Sequence, residues 1–125
     1  MKPVLLDSDI VIEVMRRRNS DVTARWEHLI QEPTPVACTP ITLAELWRGA
    51  RPPEFAALEA LFNGLVCIAI DKEAGGRAGD YLRQYAKSHQ LQLSDALIAA
   101  TASIHDLQLW TRNRKHYPMK DIEFF

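Results

Sequence analysis

The residues of this chain best suited to chemistry are acids. Asp7 and Asp9 follow a short apolar run in "PVLLDSDIV". Glu45 lies within "ITLAELWRG", Asp95 within "LSDALIAATA", and Asn113 within "WTRNRKHYP". A carboxylate among apolar neighbours is expensive unless it is paired or holds a cation, and the sequence around Glu45 and Asp95 has that character. Each residue alone has an ordinary explanation. Asp95 suits the first turn of a helix, where the macrodipole favours an acid, and Asn113 suits a turn. Together they make a set of hard oxygen donors of the kind Mg²⁺ or Mn²⁺ takes. Two such ions about 4 Å apart activate water and stabilise an in-line phosphoryl displacement.

The Asp7–Asp9 pair admits other chemistry. An apolar strand followed by D-x-D-x-[T/V] resembles the opening of haloacid dehalogenase-type phosphatases, in which the first Asp attacks phosphorus and the second serves as acid and base. The lysine and final acidic pair that such an enzyme needs are not convincingly placed downstream. Asp71, ending "VCIAID", has the position of a receiver's phosphoacceptor, but the adjacent acids and late lysine are missing. A helix N-cap explains Asp71 with less. No Ser–His–acid or Cys–His arrangement competes, and His28, His89, His105 and His116 have no zinc spacing.

These residues must be positioned by alternating elements. "PVLL", "VACT", "VCIAI", "LQLWT" and "IEFF" read as strands. Helical spacing follows Asp9 (Ile10, Val11, Val14) and recurs at Val22, Trp26, Leu29 and Ile30. Thr39 followed by Pro40 is a helix start; a further helix carries Phe55, Leu58, Leu61, Phe62 and Leu65 on one face. Asp71 caps a long helix, and Ser94 is the expected N-cap of an apolar helix that must be buried. Arg16 to Arg18 end the first helix, where cations suit the dipole. Alternation of this kind predicts a parallel sheet covered on both faces, with ligands at the carboxyl ends of its strands. Asp7, Thr39 and Thr111 all fall at such ends, and Asp95 and Asn113 belong to the same edge.

The 125 residues suit one domain, 1–125, and the composition, 47% hydrophobic and 25% charged, is that of a globular protein. The net charge of −1 excludes bulk attraction to nucleic acid or anionic membrane, so any nucleic-acid contact needs a local basic patch. Cys38 and Cys67 sit in apolar runs and are expected to be buried free thiols. No segment has a signal-peptide core or approaches the ~20 apolar residues of a membrane span, and a cytoplasmic location is expected.

Taken in order, "LLDSDIVI", "ITLAELWRGA", "LSDALIAATA" and "WTRNRKHYP" resemble the motif blocks of PIN-domain ribonucleases, and within them the VapC-type toxins of bacterial type II toxin–antitoxin pairs. The resemblance spans the chain. It implies a three-layer α/β/α fold with a central parallel sheet of about four to five strands. It implies a Mg²⁺- or Mn²⁺-dependent endoribonuclease hydrolysing RNA phosphodiesters with metal-activated water. By position, Asp7, Glu45 and Asp95 are the metal-binding carboxylates and Asn113 completes the catalytic set, where many members have Asp. Asp9 also departs from the pattern. It is expected to be an outer-shell or capping acid, farther from the metal centre than Asp7. Ser8 and Thr111 are expected supports, and Arg48, Arg112, Arg114, Lys115 and His116 the substrate contacts. The implied partners are RNA, a cognate antitoxin and a second copy in a homodimer, with Trp26, Trp47, Phe55 and Phe62 as candidates for an apolar groove. Two alternatives stand beside this reading: a catalytically weak module of the same fold that binds RNA or antitoxin, and the phosphatase.

Overall fold

The computed structural model describes residues 2–125. Its centre is β1 (Val4–Leu6), whose three residues are all buried. Side chains alternate across a strand, so Leu5 enters one core while Val4 and Leu6 enter the other. A parallel strand covered on both faces reads as an unbroken apolar run, as "VLL" does. β2 (Val36–Cys38) and β4 (Gln108–Trp110) flank β1; β3 (Val66–Cys67) and β5 (Glu123–Phe124) form the edges. The sheet order is β3-β2-β1-β4-β5 and every pairing is parallel.

Six α-helices among the described residues cover this five-stranded sheet. They are α1 (Ser8–Arg16), α2 (Ser20–Leu29), α3 (Pro40–Gly49), α4 (Phe55–Asn63), α5 (Lys72–His89) and α6 (Leu93–Ile104). Short 3₁₀ turns occupy Pro52–Glu54 and Arg114–His116. Ala74, Ala78, Ala96 and Ala99 of α5 and α6 pack with Leu5, Ala37 and Leu109 on one face. Ile10, Val11, Val22 and Leu29 of α1 and α2 pack with Val4, Leu6 and Trp110 on the other, with Leu46 of α3 and Leu61 of α4 against them. The expected three-layer architecture is present.

The helix starts that bear on the site are chemically specified. Asp7 is the N-cap of α1 and accepts from Ser8 N at 2.8 Å. Thr39 caps α3, with Pro40 at its first position, and Asp71 caps α5. Asp71 is therefore committed to its helix. α6 differs from expectation: its N-cap is Gln92, without a side-chain bond, and Ser94 lies inside the first turn. The "VCIAI" strand is also shorter than its apolar run, pairing only over Val66–Cys67. An edge strand has a neighbour on one side alone, and Cys67 is exposed while Cys38 is buried, which corrects the expectation of two buried thiols. Among the described residues no helix is long and apolar enough to cross a membrane.

Candidate active site

Asp7 stands where β1 ends. Its N–H still bonds Trp110 O at 3.0 Å, extending the ladder with β4, while its side chain begins α1. The residue is 8% exposed. Both of its carboxylate oxygens have donors. Oδ1 accepts from Ser8 N, and Oδ2 accepts from Thr111 Oγ1 at 2.8 Å and Tyr117 OH at 2.9 Å. Thr111 follows β4, so adjacent parallel strands deliver the acid and its donor to one edge.

Asp95 arrives from the first turn of α6, on the other face of the sheet. Its Oδ1 lies 3.2 Å from the same Tyr117 hydroxyl, which thereby joins the two carboxylates. A phenol has one proton to donate, so Asp7 and Asp95 share a single donor. Burial, then the charge of Asp7, pushes the Asp95 pKa up; the Tyr117 bond and His116 oppose this, and Glu45 adds to it. Burial and the two carboxylates push the Tyr117 pKa upward, so the hydroxyl keeps its proton.

Glu45, on α3, is exposed, so burial among apolar neighbours is not what distinguishes it. It is tied to the edge by Ser8, whose Oγ donates to Glu45 Oε1 at 2.7 Å and also lies 3.2 Å from Thr42 Oγ1. Thr42 and Glu45 are one helical turn apart, so Ser8 grips one face of α3.

Asp9 faces elsewhere. Its Oδ2 accepts from Arg112 N at 3.0 Å and from Asn113 Nδ2 at 2.8 Å. Its Oδ1 is buried with no partner. Burial, then the charge of Asp7, pushes its pKa up, against those hydrogen bonds. One turn along α1, Glu13 Oε1 holds the Arg112 guanidinium at 3.0 Å. Asn113 N also bonds Thr111 Oγ1 at 3.1 Å. Asp9 and Glu13 therefore fasten the loop after β4. A phosphatase needs Asp7 and Asp9 directed at one reacting centre; instead Asp7 shares Tyr117 with Asp95 and Asp9 holds the loop.

The basic residues divide as well. Arg112 is paired with Glu13, and Arg114 donates to Phe125 O at 3.1 Å while lying over the Phe124 ring. Arg48 and Lys115 are exposed. His116 Nδ1 is 3.9 Å from Asp95 Oδ2, and both line a cavity of about 170 Å³ with His89 and Gln92. Of the apolar candidates, Trp47 and Phe55 are exposed and stack edge-on with centroids 5.6 Å apart, and Phe62 lies 6.5 Å from Trp47. Trp26 is separate, in a groove of about 410 Å³ with Pro35, Leu65 and Val66, where strands begin.

Tyr117 was not among the sequence candidates. An aromatic in "KHYPM" looks like core, and its ring is indeed 3% exposed. The donor chemistry suits a divalent cation: Asp7, Asp95 and Glu45 offer hard oxygens, and burial, then repulsion by Asp7, raises the Asp95 pKa with no lysine or arginine paired to it among the described residues. Those residues hold no ready-made cluster of three ligands; Tyr117 and Ser8 stand between the acids.

Comparison with known proteins gives the family and the fold. The PIN domain model matches residues 4–122. Ribonuclease VapC10 of Mycobacterium tuberculosis is 37% identical over 118 residues, covering 93% of this chain and 86% of that protein. The structure of VapBC2 from Rickettsia felis, bound to a DNA fragment from its promoter, superposes with a TM-score of 0.81 at 21% identity, over 98% of this chain and 97% of that one. A toxin–antitoxin complex from Klebsiella pneumoniae gives 0.72 at 24%, over 95% and 94%. At these identities the structural likeness speaks for the fold; the family model and the sequence relative carry the assignment. The chain belongs to the PIN-domain family.

Proposed function

We infer that this protein is a Mg²⁺- or Mn²⁺-dependent endoribonuclease and the toxin of a toxin–antitoxin pair. The observation that carries this is the gathering of Asp7, Asp95 and Glu45 at the carboxyl edge of a parallel sheet, Asp7 and Asp95 joined through the Tyr117 hydroxyl and Glu45 tied to the edge by Ser8. Asp7, Asp95 and Glu45 would hold the cation, which when bound supplies activation of water and neutralisation of phosphate charge. Ser8, Thr111 and Tyr117 hold the carboxylate oxygens by hydrogen bonds. Asn113, its amide given to Asp9, supports the loop. Arg48, Lys115 and His116 are exposed, His116 beside Asp95, and in this reading they take the phosphates of a single-stranded RNA, with Arg112 and Arg114 contributing partly used charge. The relatives' names support the ribonuclease and toxin assignments. An antitoxin segment and a second copy of the chain are the partners in this reading, and the cytoplasm is its location.

The test is cleavage of total RNA with Mg²⁺ or Mn²⁺ by wild type, Asp7→Ala and Asp95→Ala. Loss of at least about 10²-fold in both variants is expected; equal cleavage by all three overturns the reading. A second reading, a binding module with weak catalysis, is favoured by the Asn113 amide, which adds no charge to the site. Wild-type cleavage that does not respond to added metal, with retained RNA binding, would select it.

A further inference from the structure

Among the described residues, the hydroxyl of Tyr117 is the one group that hydrogen-bonds both Asp7 and Asp95, at 2.9 and 3.2 Å. The two acids come from different layers, Asp7 from the end of a strand and Asp95 from a helix across the sheet. Tyr117 itself ends the 3₁₀ turn Arg114–His116, a third segment. Its ring is buried at 3% exposure, so the hydroxyl is aimed by packing and not by a flexible stem. Packing alone would be served by phenylalanine. The oxygen is surplus to that purpose.

We propose that Tyr117 is a positioning residue for metal binding: its hydroxyl fixes one oxygen of Asp7 and one of Asp95, and so sets the affinity of the site for a divalent cation. This rests on the metal-site reading above. The physical reason is preorganisation. Without the shared donor, Asp7 Oδ2 keeps only Thr111, and Asp95 Oδ1 loses the hydrogen bond that opposes repulsion by Asp7. Two like charges then rotate apart, and binding a cation has to order both side chains again. With the phenol in place, Asp95 Oδ2 faces the cavity it shares with His116 and remains available. Hydrogen-bonding partners behind a ligating carboxylate typically govern metal affinity by about 10–100-fold.

The test is calorimetric titration of Mn²⁺ into the purified protein, comparing wild type, Tyr117→Phe and Asp95→Ala, with RNA cleavage measured against Mn²⁺ concentration. Tyr117→Phe is expected to weaken Mn²⁺ binding by about tenfold or more. The Mn²⁺ concentration for half-maximal cleavage should rise in step, while the rate at saturating Mn²⁺ stays within about threefold. A merely structural tyrosine would not produce that split. If Tyr117→Phe binds Mn²⁺ as wild type does while Asp95→Ala does not, the positioning role is overturned and the metal site survives. If wild type binds no Mn²⁺, both are overturned. A second measurement does not depend on the variant folding. The chain has three tyrosines, and ¹³Cζ labelling gives one signal each, assigned through Tyr81→Phe and Tyr85→Phe. Mg²⁺ should move the Tyr117 signal alone; a Tyr117 signal that stays in place while Mg²⁺ binds overturns the proposal.

Discussion

Asp7 and Asp9 are the same residue type two positions apart, yet they do different work because different segments reach them. Asp7 receives donors from Ser8, Thr111 and Tyr117, spread over both oxygens. Asp9 receives two donors on one oxygen, from the backbone and side chain of the loop after β4, and its other oxygen is buried without any. Glu13, four residues on, repeats the pattern: one oxygen holds Arg112 and the other is buried without a partner. This face of α1 is a latch for the loop. Asp9→Ala is therefore expected to lower stability by about 1.5–3 kcal/mol, the usual worth of hydrogen bonds to a charged group, while leaving Mn²⁺ affinity within a few-fold of wild type. Asp7→Ala should do the reverse to metal binding and abolish it. Urea unfolding and calorimetry on the two variants measure both effects. Equal loss of Mn²⁺ binding in both would make Asp9 a metal ligand instead of an outer-shell acid.

At the scale of elements, three helix starts converge on the carboxyl edge of the sheet. α1 begins at Asp7 and α3 at Thr39, and α6 places Asp95 in its first turn. Helix N-termini carry partial positive charge, so this edge tolerates acids that would otherwise repel. Much of that was legible because it is written locally. A strand ending in Asp, a Thr-Pro start and apolar spacing each need only a few neighbouring residues. Tyr117 was not legible, since nothing in "KHYPM" says which oxygen its hydroxyl will meet; only the fold brings it to Asp7, 110 positions away. Ser94 misled because a good capping residue next to a helix is indistinguishable in sequence from a first-turn residue. "VCIAI" misled for another reason. Apolar content marks a strand without saying whether it has one neighbour or two. β3 has one, and Cys67 is exposed beside buried Cys38, which it faces in register. Burial, then the neighbouring Cys67, pushes the Cys38 thiol up to about 12. Alkylation of the native protein near pH 8 should thus modify Cys67 and spare Cys38 until the chain unfolds. Mass spectrometry reads the number of adducts; two on the native protein would contradict the buried position of Cys38.

For the whole molecule, the sheet concentrates acid at one edge of a chain whose net charge is only −1. The consequence is a stability that depends on pH and metal together. Asp95 and Asp9 have folded-state pKa values raised above the ordinary 3.8 by burial and by Asp7. The folded state then holds protons more tightly than the unfolded state. By linkage, stability is greatest when these groups are protonated, and it falls as pH rises from 3.8 through their raised folded values. Asp121 works in the opposite direction. Burial would raise its pKa, but hydrogen bonds from Tyr81 and Ser103 outweigh that and lower it below 3.8. Its contribution is present above 3.8 and is lost as pH falls through the lowered value. The metal-free protein is therefore expected to lose stability as pH rises above 3.8 through the raised values of Asp95 and Asp9. A cation held by Asp7, Asp95 and Glu45 would remove the repulsion and add binding free energy to the folded state alone, so Mg²⁺ should flatten that decline. Asp95→Asn should flatten it as well, by deleting one of the repelling charges, and should make the metal-free protein more stable than wild type at neutral pH while destroying its response to Mg²⁺. Urea midpoints measured from below pH 3.8 to neutral pH, in chelator and in excess Mg²⁺, check all of this. An Asp95→Asn variant that is less stable than metal-free wild type at neutral pH, or that Mg²⁺ still stabilises, would show that charge repulsion at Asp95 does not govern the behaviour of this edge.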